Sequence, residues 1–145
     1  MSHTCPECGA ILDDENTCQA IFETLLALEY SDPGYGQVHF LTVACFMIQH
    51  RRYSDEALAW IQPLVRSYLE DGLPGDRLRR LAAQDTSSGT RSWKVLRAAG
   101  APRLPKVAWT MTIAEVTSQY RDARSYQELV RQWAHITLKQ MEQRR

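Results

Sequence analysis

The residues best suited to chemistry are four cysteines, three of which lie near the start of the chain. Cys5 and Cys8 form a C-x2-C pair within CPECG, and Cys18 follows at the expected start of a helix. The short spacing lets two thiolates reach one ion without chain strain, and the unpaired amides at a helix start favour a third thiolate. This pattern predicts a Zn²⁺ site.

The geometry of a helical hairpin indicates the fourth ligand. If the first two helices run antiparallel about SDPGYG, residues 31–36, then Cys18 lies level with His50. His39 shares a face with His50 but lies about 16 Å away along the helix, at about 1.5 Å per residue, so one ion cannot bind both. The predicted ligands are Cys5, Cys8, Cys18 and His50, with His3 or His39 as alternatives for the last.

A Cys3His set leaves no coordination position for water, which favours structural over catalytic zinc. The alternative is that no metal binds and that the pair is a redox couple or ordinary thiols. A redox C-x-x-C usually accompanies a βαβ pattern, which this sequence lacks. The remaining thiol, Cys45, lies within an apolar helix and is predicted to be a buried packing residue.

Apolar residues recur at helical spacing through most of the chain. A first helix is predicted from a cap at Asn16 or Thr17 to about Tyr30, with Gln19 placed to reach back to Asn16, and residues 31–36 break it. Further helices are predicted over residues 37–50, 54–70 and 76–83. Two S/T-x-x-E capping boxes begin two more, at Thr112 with Glu115 and at Ser125 with Glu128. Residues 84–90 are expected to form a loop, residues 93–99 one or two helical turns, and residues 100–106 an extended segment.

The predicted fold class is therefore all-α. We expect a bundle of five to six helices with an N-terminal Cys-rich zinc hairpin. The length of 145 residues indicates a single domain, 1–145, in which residues 1–18 are the metal-binding segment packed on the helices.

Charge is distributed unevenly, although the net charge is zero. Residues 1–72 carry three basic against eleven acidic side chains, whereas residues 73–145 carry fourteen against six. We expect the two halves to face each other, either within one chain or across a homo-oligomer; the alternative is a basic surface for an anionic partner.

Basic and aromatic residues mix in the span 91–106. Trp93 lies within this span and Trp109 follows it. The basic residues are Arg91, Lys94, Arg97, Arg103 and Lys106. Such a mixture is what a nucleic-acid or other anion-binding surface needs, since cations neutralise phosphates and rings stack on bases. A solvated basic face opposite the acidic half is the interpretation that we favour.

Asp32, Tyr35 and His39 cluster around the turn into the second helix. A carboxylate, a phenol and an imidazole can perform acid–base catalysis when a substrate proton is positioned among them. The favoured interpretation is structural: Asp32 or Tyr35 braces the loop, and His39 is a half-buried hydrogen-bonding residue. They remain the candidate catalytic residues.

CPECG, Cys18, DPGYGQVHFLTVACFMIQH (residues 32–50) and WTMTIAEV (residues 109–116) resemble a family of small uncharacterised bacterial proteins, domain of unknown function 5946. The resemblance implies a bacterial origin and no agreed activity. Family members often carry a second histidine directly after the first, where this chain has Phe40. That difference weakens any mechanism that needs two adjacent imidazoles.

Together these patterns predict a zinc-stabilised helical binding or regulatory module. The alternatives are a small enzyme with a pocket around His39, Asp32 and Tyr35, and a structural, oligomer-forming protein. No G-x-G-x-x-G, Walker loop, H-E-x-x-H or G-x-S-x-G occurs. There is no apolar run of eighteen residues and no secretory leader pattern, so we expect a cytoplasmic protein with no membrane partner.

Overall fold

Helices make up most of the computed structural model, which describes residues 2–71, 94–102 and 104–143. Two short strands, β1 (Ser2–Thr4) and β2 (Ile11–Asp13), form an antiparallel hairpin with His3 opposite Leu12. Six helices follow in the described residues: α1 (Cys18–Ser31), α2 (Pro33–Gly36), α3 (His39–Gln49), α4 (Asp55–Asp71), α5 (Ile113–Gln119) and α6 (Ala123–Gln143). The predicted all-α class is confirmed. The expected helix at 76–83 and loop at 84–90 lie outside the described residues.

The start of α1 and the turn after it follow from local hydrogen bonding. Thr17 caps α1, because its hydroxyl accepts a hydrogen bond from the Ala20 amide at 3.0 Å. The Gln19 side chain does not reach back to Asn16 but donates to Glu23 on the next turn. The segment predicted as a simple break holds the one-turn helix α2, whose first position is Pro33 and whose cap is Asp32.

The predicted capping box at Ser125 and Glu128 was wrong. The last helix begins at Ala123, and it is Asp122 that caps it: its Oδ1 accepts from the Ser125 amide at 2.8 Å. Ser125 instead turns its hydroxyl back to accept from the Asp122 amide, so the second capping box does not form, whereas the box at Thr112 does.

Residues 94–99 are not helical, contrary to the prediction. Their backbone pairs with the segment between α3 and α4: Ser54 donates its amide to Val95 at 2.9 Å, and Arg97 donates to Arg52 at 2.8 Å. A bridge joins Tyr53 and Leu96. Pairing with a distant segment competes with helix formation here, and no local pattern shows it.

The helix α3 is central in the described structure, as its apolar sequence predicts. It contacts α1, α4 and α6, and seven of its residues are buried. Around it lie fully buried side chains of α6, the largest being Trp133 and Tyr126. Apolar residues from Cys5 to Met141 join one hydrophobic cluster, while the prediction of a single domain over 1–145 stays a prediction.

A buried glutamine fixes the end of α3. Gln49 is fully buried, and its amide nitrogen donates at 2.9 Å both to the Met111 carbonyl and to the Thr137 hydroxyl. These bonds tie α3 to the segment before α5 and to α6. Because buried polar groups need partners, the two bonds restrict rotation of α3 about its axis.

The described helices include none with both the length and the apolar character needed to cross a bilayer.

The contact between α1 and α2 depends on Gly36. A Cβ at this position would lie 2.8 Å from the backbone oxygen of Glu29. We expect Gly36→Ala to lower the free energy of unfolding by about 1–3 kcal/mol, since backbone must move to make room. Urea unfolding measures the change. Gly100→Ala is the matched control, because nothing lies within 4 Å of its Cβ position, and it should stay within about 0.5 kcal/mol. A neutral Gly36→Ala would contradict the close approach.

Candidate metal centre

Three cysteines and one histidine converge where the N-terminal hairpin meets α1 and the end of α3. The thiol sulfurs of Cys5, Cys8 and Cys18 and a ring nitrogen of His50 all lie within 4.8 Å of one another. The Cys8 and Cys18 sulfurs are 3.6 Å apart, and the Cys5 sulfur is 3.7 Å from His50 Nε2. Tetrahedral zinc with bonds of about 2.3 Å to sulfur needs sulfur–sulfur distances of about 3.8 Å, so the arrangement is compatible with a metal site.

The hairpin turn brings Cys5 and Cys8 together. The Cys5 amide donates to the Ala10 carbonyl at 2.8 Å, and the Gly9 amide donates to the Cys5 carbonyl at 3.0 Å. Gly9 has φ of +81°, a left-handed conformation that favours glycine. The final residue of CPECG therefore closes the turn that places both sulfurs on one side.

Cys18 is the first residue of α1, where unpaired amides favour negative charge. A hydrogen bond from the Cys18 thiol lowers the pKa of Cys8 to about 4, against the opposing effect of burial. The same hydrogen bond and burial raise the pKa of Cys18. The close contact between the two sulfurs therefore favours a state in which one of them is ionised and accepts a hydrogen bond from the other.

His50 presents the right nitrogen to the cluster. Its Nδ1 lies 2.8 Å from the Phe46 carbonyl, which can only accept, so Nδ1 carries the proton. The lone pair of Nε2 then faces Cys5. A backbone carbonyl that orients the second ring nitrogen in this way is the usual support for a metal-binding histidine.

The structure does not bring the other candidate histidines to this cluster. His3 is exposed on β1, and His39 is hydrogen-bonded to Glu29 at the far end of α3. Cys45 is also separate: it is 1% exposed, and burial raises its pKa to about 12, as expected for a packing thiol.

An ion pair between Arg51 and Glu7, which was not predicted from the sequence, forms a brace beside the cluster. Arg51 follows His50 with φ of 56°, and the Arg51 and Arg52 amides donate to Ile48 and Met47, which is the Schellman end of a helix. Glycine usually occupies this position. Arg51 directs its guanidinium to the Glu7 carboxylate within CPECG, through Nε at 2.9 Å and through Nη2, and to the Leu104 carbonyl at 2.9 Å.

A second polar cluster surrounds Glu29, which sequence analysis also missed. The buried Glu29 carboxylate contacts His39 Nδ1 at 2.7 Å and accepts from the Thr42 hydroxyl at 2.6 Å and from the Tyr126 hydroxyl. Burial, with Glu29 nearby, raises the pKa of Tyr126. The sequence feature that could have indicated this cluster is Glu29 itself, an acidic residue on the otherwise apolar face of α1.

The three predicted catalytic residues have separate contacts. His39 pairs with Glu29, Asp32 caps α2 by accepting from the Gly34 amide, and Tyr35 packs against Tyr120 and Tyr126. Their role in catalysis stays a prediction.

The basic span is only partly described, because Arg91 and Arg103 lie outside the described residues. Lys94 and Lys106 are exposed. Arg97 pairs with Asp55 and donates to the Tyr53 carbonyl at 3.2 Å, so it links a basic residue of the second half to an acidic residue of the first. Association of opposite-charge halves into an oligomer, and nucleic-acid binding, stay predictions.

Comparison with known proteins gives one match. The sequence profile of a family of unknown function, DUF5946, matches residues 3–142. The chain belongs to this family. No curated protein and no solved structure matches it. This match confirms the resemblance to DUF5946 that the sequence indicated. Membership in a family of unknown function assigns no activity to the chain.

Co²⁺ titration tests the cluster. The apoprotein should bind about one Co²⁺ per chain, with the sulfur-to-metal charge-transfer absorption and the strong visible bands of a tetrahedral site. Cys8→Ser should lose most of the charge-transfer intensity, whereas Cys45→Ala should keep it because Cys45 lies outside the cluster. Equal spectra from both variants would contradict the assignment.

Unfolding experiments test the Glu29 cluster. Glu29→Ala should lower the free energy of unfolding by about 3 kcal/mol or more, because the buried Tyr126 hydroxyl and the His39 imidazole lose the carboxylate that they contact, and Thr42 keeps only its bond to the Val38 carbonyl. Glu23→Ala, on the exposed side of the same helix, should change it by less than about 0.5 kcal/mol. A similar small effect at both positions would show that the buried carboxylate contributes little.

Proposed function

We propose that this chain is a zinc-stabilised helical binding or regulatory module. The observation that carries the proposal is the convergence of the Cys5, Cys8 and Cys18 sulfurs and His50 Nε2 within 4.8 Å at a buried position. Four donors close a tetrahedral shell and leave no position for a water or a substrate. The metal in such a site supports the structure and takes no part in a reaction.

The donor types favour zinc. Three thiolates and one imidazole are soft to borderline ligands, which suit Zn²⁺ and exclude the hard cations Mg²⁺ and Ca²⁺. The Phe46 carbonyl also holds the His50 ring so that Nε2 is available as a ligand. Free thiols also suit a reducing compartment, so the proposal includes a cytoplasmic location.

Zinc would hold the N-terminal hairpin on the helices. The strands β1 and β2 have three residues each, and hairpins of this size are marginal alone. Binding free energy at such a site is folding free energy, because the ligands meet only in the folded chain. The helical body, with its large buried core, is then available for binding a partner through its surface.

Metal analysis tests this function directly. Gently purified protein should contain about one zinc per chain, and chelation should lower Tm by roughly 10 °C or more. His50→Ala should lose the zinc and unfold at the temperature of the chelated protein. His3→Ala, the control for the fourth ligand, should retain both zinc and Tm. Absence of zinc from the wild-type protein, together with no response to chelator, would overturn the proposal.

A second candidate function is a small enzyme, favoured by the contact between Glu29 and His39. A buried carboxylate that orients a half-exposed imidazole resembles the support of a general base, and the His39 side chain is 24% exposed. The test is a screen of the zinc-loaded protein against hydrolytic substrates, with His39→Gln as the comparison. A turnover that His39→Gln leaves unchanged would exclude this candidate.

A further inference from the structure

A cavity of about 270 Å³ lies directly beside the metal cluster. Its wall includes His50, Arg51 and Arg52 at the end of α3, and Leu96 and Arg97 from the segment that pairs with residues 52–54. Glu7 of the CPECG turn completes one side. The volume lies just below the range for ligand pockets, about 300–1,000 Å³, so only a small ligand fits.

The wall of this cavity is positively charged. Its lining residues include three arginines, Arg51, Arg52 and Arg97, and one acid, Glu7, which pairs with Arg51. Asp55 also touches Arg97, but the Asp55 side chain is 74% exposed, so solvent weakens its contribution. The Arg51 and Arg97 side chains are only 14% and 11% exposed, so their positions are restrained and their charges are poorly screened.

Arg52 makes fewer side-chain hydrogen bonds to the described residues than Arg51 or Arg97 does. One of its five N–H groups donates to the Gln19 side chain at 3.0 Å, and its guanidinium lies 4.9 Å from the centre of the Phe46 ring. Stacking on a ring holds a guanidinium flat and leaves its edge free for an oxyanion. Among the described residues, Arg51 and Arg97 each make three hydrogen bonds, which position them while leaving further N–H groups.

Apolar groups line the remaining wall. Leu96 is 59% exposed although it is large and apolar, and Ala98, Ala99 and Ala101 lie beside it. These residues therefore offer an apolar surface to a short substituent of a ligand whose charged group lies among the arginines.

We propose that this cavity binds a small phosphate ester, with the phosphate held by Arg52, Arg51 and Arg97 and a short apolar substituent packed on Leu96. Guanidiniums form paired, charge-assisted hydrogen bonds with phosphate oxygens, and an anionic ligand suits a lining in which arginines outnumber carboxylates even after Glu7 and Asp55 have each paired with one of them. The site takes its charge from the arginines and not from the metal, so the proposal stands independently of the zinc.

The test is calorimetric titration of the full-length, metal-analysed protein with phenyl phosphate and with inorganic phosphate at 150 mM NaCl. Both should bind, and phenyl phosphate should bind more tightly. Arg52→Gln should weaken phenyl phosphate by about tenfold or more, the loss expected for a charge-assisted bond. Leu96→Glu adds a negative charge at an exposed position and should weaken it similarly. Lys106→Gln, which removes an exposed cation outside the cavity, should change it less than about twofold.

Each result has a defined meaning. Equal weakening by Lys106→Gln and Arg52→Gln would show diffuse surface attraction and overturn the proposal, as would absence of binding to protein that contains zinc. A single-stranded oligonucleotide that binds more tightly than phenyl phosphate and loses affinity in both of these variants would indicate a nucleic-acid surface instead. Phosphate binding to protein without zinc would uphold the cavity while rejecting the zinc module, so the two proposals fail separately.

Discussion

The convergence of three thiols and one imidazole links parts of the chain that share few other restraints. Cys5 and Cys8 come from a hairpin with three-residue strands, Cys18 begins α1, and His50 ends α3. Apart from these four residues, the hairpin is attached through Ala10 and Leu12 in the buried cluster and through the ion pair between Arg51 and Glu7. An ion shared by the four donor atoms would add its binding free energy to these contacts.

The end of α3 joins the cluster to the neighbouring cavity. His50 faces the cysteines, and the next residue, Arg51, turns left-handed and reaches Glu7 on the same hairpin. A non-glycine residue costs about 1 kcal/mol in that conformation, and the contacts of its side chain offset the cost. Two consecutive residues at the end of α3 thus place the His50 imidazole at the cysteine cluster and the Arg51 guanidinium at Glu7 and the cavity.

The four residues of the candidate metal site could be predicted from sequence because their geometry follows from short spacings and helix length. The C-x2-C spacing fixes two ligands, and the fixed rise of a helix puts residue 50 opposite residue 18 across a hairpin. The capping residues and the helix starts depend on neighbours in sequence and were mostly predictable as well. Asp122 and Ser125 both have side-chain oxygens that can accept a hydrogen bond from a free amide at the helix start. The direction in which the chain enters the helix decides that Asp122 is the cap.

The features that could not be predicted all require distant partners. The Glu29 cluster needs side chains from α1, α3 and α6 at once, and the brace at Arg51 needs a conformation that sequence does not specify for arginine. Residues 94–99 were predicted to be helical, but their backbone pairs with residues 52–54, which are distant in sequence. Such competition between local and non-local bonding is decided by the whole fold.

Gln49 adds a consequence for how this protein would respond to mutagenesis. Its amide links the turn of helix that ends at His50 to the Met111 carbonyl and the Thr137 hydroxyl, roughly sixty and ninety residues further along the chain. Loosening either bond lets that turn shift, and the imidazole moves with it. In a deep mutational scan scored by metal content, substitutions in the C-terminal helix would therefore lower metal content at positions that make no contact with the ion. The residues needed for metal binding would then extend well beyond the four ligands.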